Sequence, residues 1–339
     1  MAFSVLGVDV GGANLKAAHS SGTSALRAFA LWKNPAGSAP ALLELFRAWP
    51  DVELLAVTMT GELCDCFETK REGVHVILQA IESAAGSVPV RVWLGDGTFA
   101  NLAEAHALPL AAAATNWLAL ATFAARLVPA GPALLIDIGS TTTDIVPLQD
   151  GRPVPRGRTD VDRLRCHELV YSGVRRTPVC ALLGSDGAAE VFATMLDVNL
   201  ILGQIAEESA NRDTADGRSA TIPHAYARLA RMLCADTETC PRQTVDQLAR
   251  DISGRQQSIL LDALERITAT LPAAPVSIVL AGAGEFLAAR TIAASRFREV
   301  PRVSLAEKLG PEISQAACAY ALAILAQEQL EHGHATDPR

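Results

Sequence analysis

One pattern is written twice in this chain, and it limits the folds open to it. An apolar strand runs into an aspartate, a turn of small residues follows, and a second strand returns. The first copy is Val5-Leu6-Gly7-Val8-Asp9-Val10-Gly11-Gly12-Ala13-Asn14-Leu15-Lys16. The second, Leu134 to Pro147, reads Leu-Leu-Ile-Asp-Ile-Gly-Ser-Thr-Thr-Thr-Asp-Ile-Val-Pro. Aligned, Asp9 falls on Asp137, Gly11 on Gly139, Gly12 on Ser140 and Lys16 on Asp144. Two matched hairpins predict two matched domains. A cleft between them would be lined by facing aspartates and facing turns, which suits a polyphosphate or a diphosphate.

The residue types fit that use. Gly11, Gly12 and Gly139 let backbone N–H groups converge on an anion, and Asn14 and the hydroxyls of Ser140, Thr141 and Thr142 add donors. Asp9, Asp137 and Asp144 are candidate ligands for a Mg²⁺ that neutralises phosphate charge, with Lys16 as a further positive group. The competing reading of either copy alone is an ordinary buried hairpin whose threonines favour strand; repetition weighs against it.

In chain order, strands are expected over Phe3–Val10, Leu15–His19 and Ala25–Trp32, then a helix over Pro40–Trp49, a strand over Glu53–Met59, a helix over Gly73–Ala85 and a strand over Pro89–Leu94. Three meandering strands followed by helix, strand, helix, strand is the ribonuclease-H-like order. The fold class is therefore α/β, with two ribonuclease-H-like domains and a cleft between them. The first is expected over residues 1–110, completed by a C-terminal helix over 313–329, and the second over 111–312. An Ala-rich helix over Ala111–Leu127 crosses between them, and a third strand of the second domain is expected over Arg152–Arg158. A helical insertion at about 186–271 carries apolar stripes such as Val191, Met195, Val198 and Leu202, with Phe192 and Met195 read as core. A strand over Val276–Ala281, a helix over Phe286–Ala294 and an edge strand near Pro301 precede the closing helix, and the tail 331–339 is expected to be loose.

The net charge of −8 argues against a nucleic-acid surface and for small-molecule substrates. Seven scattered cysteines, Cys64-x-Cys66 the nearest pair, match neither a disulfide framework nor a zinc pattern. No apolar run approaches the roughly 20 residues of a membrane span, and the N-terminus enters a strand without a basic leader. A cytoplasmic protein with no membrane partner is expected, a homo-oligomer being left open.

Three further stretches carry candidate chemistry. The segment Thr58 to Lys70 leaves the end of a strand, where open α/β sheets place ligands, so Glu62, Asp65 and Lys70 are candidates for substrate contact or proton transfer, against a solvated loop. Arg175 and Arg176 belong to a basic cluster that could clamp a carboxylate or phosphate, or be salt-bridged surface residues. Gly282 and Gly284 stand at a strand-to-helix turn that could admit a nucleotide, or be structural.

The stretches Asp9–Lys16, Asp137–Asp144 and Leu280–Glu285 resemble the phosphate-one, phosphate-two and adenosine motifs of the acetate kinase, sugar kinase, heat-shock-70 and actin superfamily, most closely its hydantoinase/oxoprolinase-like branch. Thr60 to Lys70, Gly73-Val74, Arg176-Thr-Pro178 and Ala230 to Asp236 resemble the family linked to tetrahydromethanopterin one-carbon transfer, whose archaeal members are methanofuran-biosynthesis synthases. The resemblance runs nearly the full length. It implies transfer of an aminomethyl-furanmethyl group from its diphosphate to the phenol oxygen of γ-glutamyltyramine, with Mg²⁺ as cofactor and Glu62 taking the phenolic proton. Two other readings stay open: an ATP-dependent kinase or ATP-driven amidohydrolase with the Gly282 turn on adenine, and a nucleotide-sensing, actin-like or chaperone-like protein.

Overall fold

The computed structural model describes residues 3–335. The strands are β1 Val5–Val10, β2 Asn14–His19, β3 Thr23–Ala28, β4 Leu54–Met59, β5 Val90–Trp93, β6 Phe99–Ala100, β7 Pro132–Ile138, β8 Thr143–Gln149, β9 Arg152–Pro153, β10 Leu169–Val170, β11 Ser277–Ala281 and β12 Arg302–Ser304. They form two sheets, ordered β3-β2-β1-β4-β5-β6 and β10-β8-β7-β11-β12, with β9 beside β8. In each, an antiparallel meander leads into parallel neighbours, β1 on β4 and β7 on β11, which is the ribonuclease-H-like connection.

Side-chain alternation explains the layers. Leu6, Val8 and Val10 with Leu55, Val57 and Met59 face outward under the helices Ser38–Phe46 and Lys70–Ala85. Leu134, Ile136 and Ile138 with Ile278 and Leu280 do the same under Arg242–Thr268 and Glu285–Ala293. The opposite rows, Val5, Leu54 and Ala56 from one sheet and Ala133, Leu135, Val279 and Ala281 from the other, share one core with the helices Asn116–Ala125 and Ala317–Ala335. Those two helices are thus sandwiched between the sheets. Gly7 makes the approach possible, because a Cβ there would lie 1.8 Å from the Ala319 carbonyl oxygen of the closing helix.

Each inner row ends in a polar residue at the carboxyl end of its strand. After Val5 and Gly7 comes Asp9, after Leu54 and Ala56 comes Thr58, and after Ala133 and Leu135 comes Asp137. Period-two alternation forces these three side chains into the space between the sheets.

Several boundaries differ from expectation for local reasons. β3 stops at Ala28, because the chain then folds back on the first turn, Phe29 and Leu31 donating N–H groups to Ala13 and Gly12. The expected 111–127 helix is two pieces, Pro109–Ala112 and Asn116–Ala125, parted at Ala114 with φ +51°. Lys70 opens a helix rather than ending a loop, since the Thr69 side chain caps it by accepting from the Glu72 N–H. Of the third strand expected over Arg152–Arg158, only Arg152–Pro153 pairs with β8, and Leu169–Val170 pairs with the other end of β8. In the insertion, Met195 is buried but Val191 and Phe192 are exposed, correcting the expected stripe. Its interior is organised by Arg228, fully buried, with its guanidinium on Asp197 at 2.7 Å and Asp216 at 3.0 Å. The closing helix runs on to Ala335; of the expected loose tail, 336–339 lie outside the described residues.

Candidate functional site

The two turns are built alike. Gly11 N–H donates to the Asn14 carbonyl at 3.0 Å, and Gly139 N–H donates to the Thr142 carbonyl at 2.9 Å. Behind each, the chain leaving the third strand of the meander returns. Leu31 N–H donates to Gly12 O at 2.9 Å, while Arg175 and Arg176 donate to Ser140 O at 3.0 and 2.9 Å. Glycines allow a second close approach: a Cβ on Gly61 would lie 3.1 Å from Gly11 C, and one on Gly173 would lie 2.5 Å from Gly139 O. What this leaves free is informative. Among the described residues, the N–H groups of Gly12, Ala13, Ser140 and Thr141 have no backbone acceptor, and the hydroxyls of Ser140, Thr141 and Thr142 make no hydrogen bond. Both turns are partly exposed, so converging donors face the cleft.

Register places the charges. Asp9 pairs with Lys16 across β1 and β2, and Asp137 with Asp144 across β7 and β8. Asp9 is 3 % exposed, and its Oδ1 is buried with no partner. Burial raises the Asp9 carboxyl above its ordinary range, Lys16 pulling it back. Burial pushes Asp137 up to about 7, helped by the neighbouring Asp144 charge and opposed by Lys16. On Lys16, burial acts downward, but Asp9, Cys318 and Asp137 outweigh it and hold the ammonium above its usual value. The closing helix reaches this centre through Cys318, whose Sγ is 3.9 Å from Asp137 Oδ2, and the crossing helix through Asn116, which donates to Cys318.

Asp144, expected as a metal ligand, is corrected by its partner. Arg163 Nη2 donates to Asp144 Oδ1 at 2.6 Å and to the Glu168 carbonyl at 3.2 Å, and the guanidinium lies 3.9 Å from the centre of the Trp117 ring. Arg163 is 1 % exposed, so it neutralises Asp144 inside the protein.

Glu62 is brought to the cleft. Its side chain is 1 % exposed, Oε2 has no partner, and Lys70 Nζ stands 3.8 Å from Oε1. Burial lifts Glu62 to about 7, against the pull of its own backbone N–H and Lys70. Lys70 also reaches across to Asp160 at 2.9 Å, tying the two halves together. Asp65 is exposed and makes no hydrogen bond or ion pair among the described residues. Arg175 is paired with Glu208 at 2.5 Å. Arg176 lies 4.5 Å over the Trp32 ring and 3.5 Å from Asp213. Trp32 and Arg176 occupy matching places after the two meanders, so they meet across the cleft mouth. Sequence reading missed Trp32 and Asp160 as parts of the site, and placed Arg163 in the basic cluster without its Asp144 partner; the repeat could have found Trp32, because it stands where Arg176 stands in the second copy.

The Gly282 turn serves the second aspartate. Gly282 has φ +88°, and a Cβ there would lie 2.3 Å from Asp137 Oδ1; one on Gly284 would lie 2.4 Å from Ile138 Cγ2. Its amides are taken: Gly282 N–H donates to Ser314 Oγ at 3.1 Å and Gly284 N–H to the Ile138 carbonyl at 2.8 Å.

Comparison with known proteins fits this geometry. The family model of hydantoinase/oxoprolinase matches residues 53–329. A (4-{4-[2-(γ-L-glutamylamino)ethyl]phenoxymethyl}furan-2-yl)methanamine synthase of Methanocaldococcus jannaschii is 34 % identical, covering 98 % of this chain and 100 % of that protein. The synthase of the same name from Methanococcus vannielii is 28 % identical over 58 % of this chain and 91 % of its own length. A nucleotide-free structure of acetone carboxylase matches in fold at TM-score 0.54 and 10 % identity, covering 95 % of this chain and 70 % of that one. With most of its length inside the family model and a full-length relative at this identity, the chain belongs to the hydantoinase/oxoprolinase family, in the branch that holds these furan-methanamine synthases.

Proposed function

We propose that this protein is a diphosphate-releasing transferase of methanofuran-type cofactor biosynthesis. It joins the furanylmethyl carbon of (5-aminomethyl-furan-3-yl)methyl diphosphate to the phenol oxygen of γ-glutamyltyramine. The observation that carries the reading is the pair of facing turns with unengaged N–H and hydroxyl donors beside Asp9, Lys16 and Asp137; the substrates come from the full-length synthase relative.

In this reading the C–O bond to diphosphate breaks, the phenol oxygen bonds to the ring-stabilised carbon, and the phenolic proton leaves. Gly12, Ser140 and Thr141 N–H groups and the three hydroxyls hold the departing diphosphate, and Lys16 takes up part of its growing charge. Glu62 accepts the phenolic proton; a carboxyl near 7 is half ionised at neutral pH, where a base is most useful.

A magnesium ion fits. Asp9 offers a buried, unpartnered oxygen, and the crowded carboxylates are short of positive charge. Among the described residues no three ligand side chains stand together, so the ion would be held by Asp9 and Asp137 and completed by phosphate oxygens and water, the usual habit of Mg²⁺. Its chemistry there would be to neutralise charge on the leaving group.

The ATP-consuming reading has less support, because both glycines of the turn it would use on adenosine have their N–H groups engaged, by Ser314 and Ile138. Purified protein with Mg²⁺ and both substrates is expected to release pyrophosphate and form the ether without ATP. Saturable ATP hydrolysis with no pyrophosphate from the furan diphosphate would replace this reading with the kinase or amidohydrolase one.

A further inference from the structure

Both arginines expected to read a carboxylate already have partners, Arg175 on Glu208 and Arg176 on Trp32 and Asp213. Arg290 is different. On the Glu285–Ala293 helix, its Nε is buried without a partner, its side chain donates only to Ser253 Oγ at 2.8 Å, and it ion-pairs with no carboxylate among the described residues. Burial pulls this guanidinium below its usual value, the sign of a cation lacking a counter-charge.

Arg290 lines a cavity of about 260 Å³ with Gln204, Arg250, Ser253, Gly254 and Gln257. Arg250 is also without a carboxylate partner, its guanidinium donating to Gln247 Oε1 alone. Two guanidiniums therefore share one small concave space that contains no acid. Arg290 is half-buried, with its Nε wholly covered, and Arg250 stands exposed at the rim; a bidentate carboxylate is the natural complement of such a fork.

The cavity is built on elements that also support the second turn. Its walls are anchored on the segment Ser172–Val174, which supports that turn through Gly173. The long helix contributes Gln256, donating to Ser172 Oγ at 3.0 Å and Gly173 O at 2.9 Å. The helix Met195–Ile201, just ahead of Gln204, contributes Asn199, donating to Val174 O at 2.8 Å. The Arg290 helix begins at Gly284, packed on Val174. The elements that line the cavity are thus the ones that hold the turn's supporting segment. The cavity's volume is under the roughly 300 Å³ at which whole small molecules are held, so it takes the end of a longer ligand.

We infer that the Arg290 cavity is a carboxylate subsite that receives the glutamyl end of the phenolic acceptor. The inference rests on the reaction proposed above. It is tested by steady-state kinetics with γ-glutamyltyramine and with tyramine, comparing the parent with Arg290→Gln, Arg290→Lys and Arg250→Gln.

Arg290→Gln is expected to raise KM for γ-glutamyltyramine roughly 10- to 100-fold, the range for a lost charge-assisted contact, with kcat within about threefold and KM for tyramine unchanged. Arg290→Lys restores part of the loss, keeping charge without the fork. Arg250→Gln, at the exposed side, shifts the same KM less. An equal loss with both acceptors, or no loss with either, overturns the inference. If the parent joins neither acceptor, the reaction itself is wrong. Calorimetry of γ-glutamyltyramine with the resting protein then decides: binding that Arg290→Gln abolishes upholds the subsite, while no binding, or ADP binding that depends on Arg290, overturns it.

Discussion

In the first hairpin the cation stands in the returning strand itself, Lys16 opposite Asp9, partly exposed to the cleft and shared between Asp9 and Asp137. In the second the same place holds Asp144, and the cation is Arg163, supplied by the Asp160–Arg165 helix and buried between Asp144 and Trp117. The turns match; the charges do not. One hairpin presents a cation to whatever enters the cleft, and the other closes its charge internally and presents hydroxyls. This asymmetry gives the cleft a direction, with amides on both sides of an anion but a positive charge from the returning strand on one.

The sharpest way to break the comparison is through the two cations. Arg163→Leu is expected to destabilise the fold by about 3–5 kcal/mol, because it leaves Asp144 buried and uncompensated. The double variant Arg163→Leu/Asp144→Leu should recover much of that in a denaturant melt. Recovery failing, with the single variant melting like the parent, would show that the pair is not structural. Lys16→Met should instead lower turnover.

The aspartates should behave alike where the cations do not. Asp9→Asn and Asp137→Asn are each expected to cut turnover by about 10²–10³-fold, roughly 2.7–4 kcal/mol in barrier, without lowering the melting temperature, since burial already raises both carboxyls and ionising them works against the fold. A variant within about tenfold of the parent, 1.4 kcal/mol, would remove that carboxylate from the centre.

Glu62 offers a pH test with a definite sign. Its carboxyl is near 7 in the folded protein and 4.5 is its reference value, so ionising it works against the fold. The penalty is absent below about 4.5, grows as pH rises to about 7 and is complete above that. Glu62→Gln is therefore expected to melt like the parent at pH 4 and to be more stable at pH 8, by up to about 3 kcal/mol. Its turnover should fall most near neutral pH and recover in part at alkaline pH, where solution phenolate forms. A pH-independent loss would assign it to positioning alone.

The smallest effect sharpens the difference between the turns. Ser140→Gly converts the second turn toward the first, keeping the N–H and deleting one hydroxyl. Affinity for the diphosphate substrate should drop by about 0.5–1.5 kcal/mol, a neutral hydrogen bond's worth. No change in its KM would leave that hydroxyl out of the cradle.

Much of this was legible in the chain. The two strand-Asp-turn-strand copies gave the sheets, the meander order and the aspartates, because period-two alternation and a small-residue turn are local properties. The fate of Asp144 was not legible: its partner Arg163 comes from 19 positions later, and nothing in spacing says which of several arginines will be buried. The glycine turn stayed ambiguous for a related reason. Gly282 and Gly284 read equally as room for a ligand or as a structural turn, and the packing supplies a structural reason, since β7 and the Asp137 carboxylate press against them.

The sequence by itself determined that two like hairpins would each carry an aspartate to a strand end, since side chains alternate along a strand whatever surrounds it. Tertiary structure alone decided which charges remained available. Packing Trp117 and the closing helix between the sheets buried Arg163 on Asp144, while an Asp9 oxygen is left without a partner and Lys70 stands between Glu62 and Asp160. The strength of a charge depends on what desolvates it and what stands beside it, and both are set by residues distant in the chain.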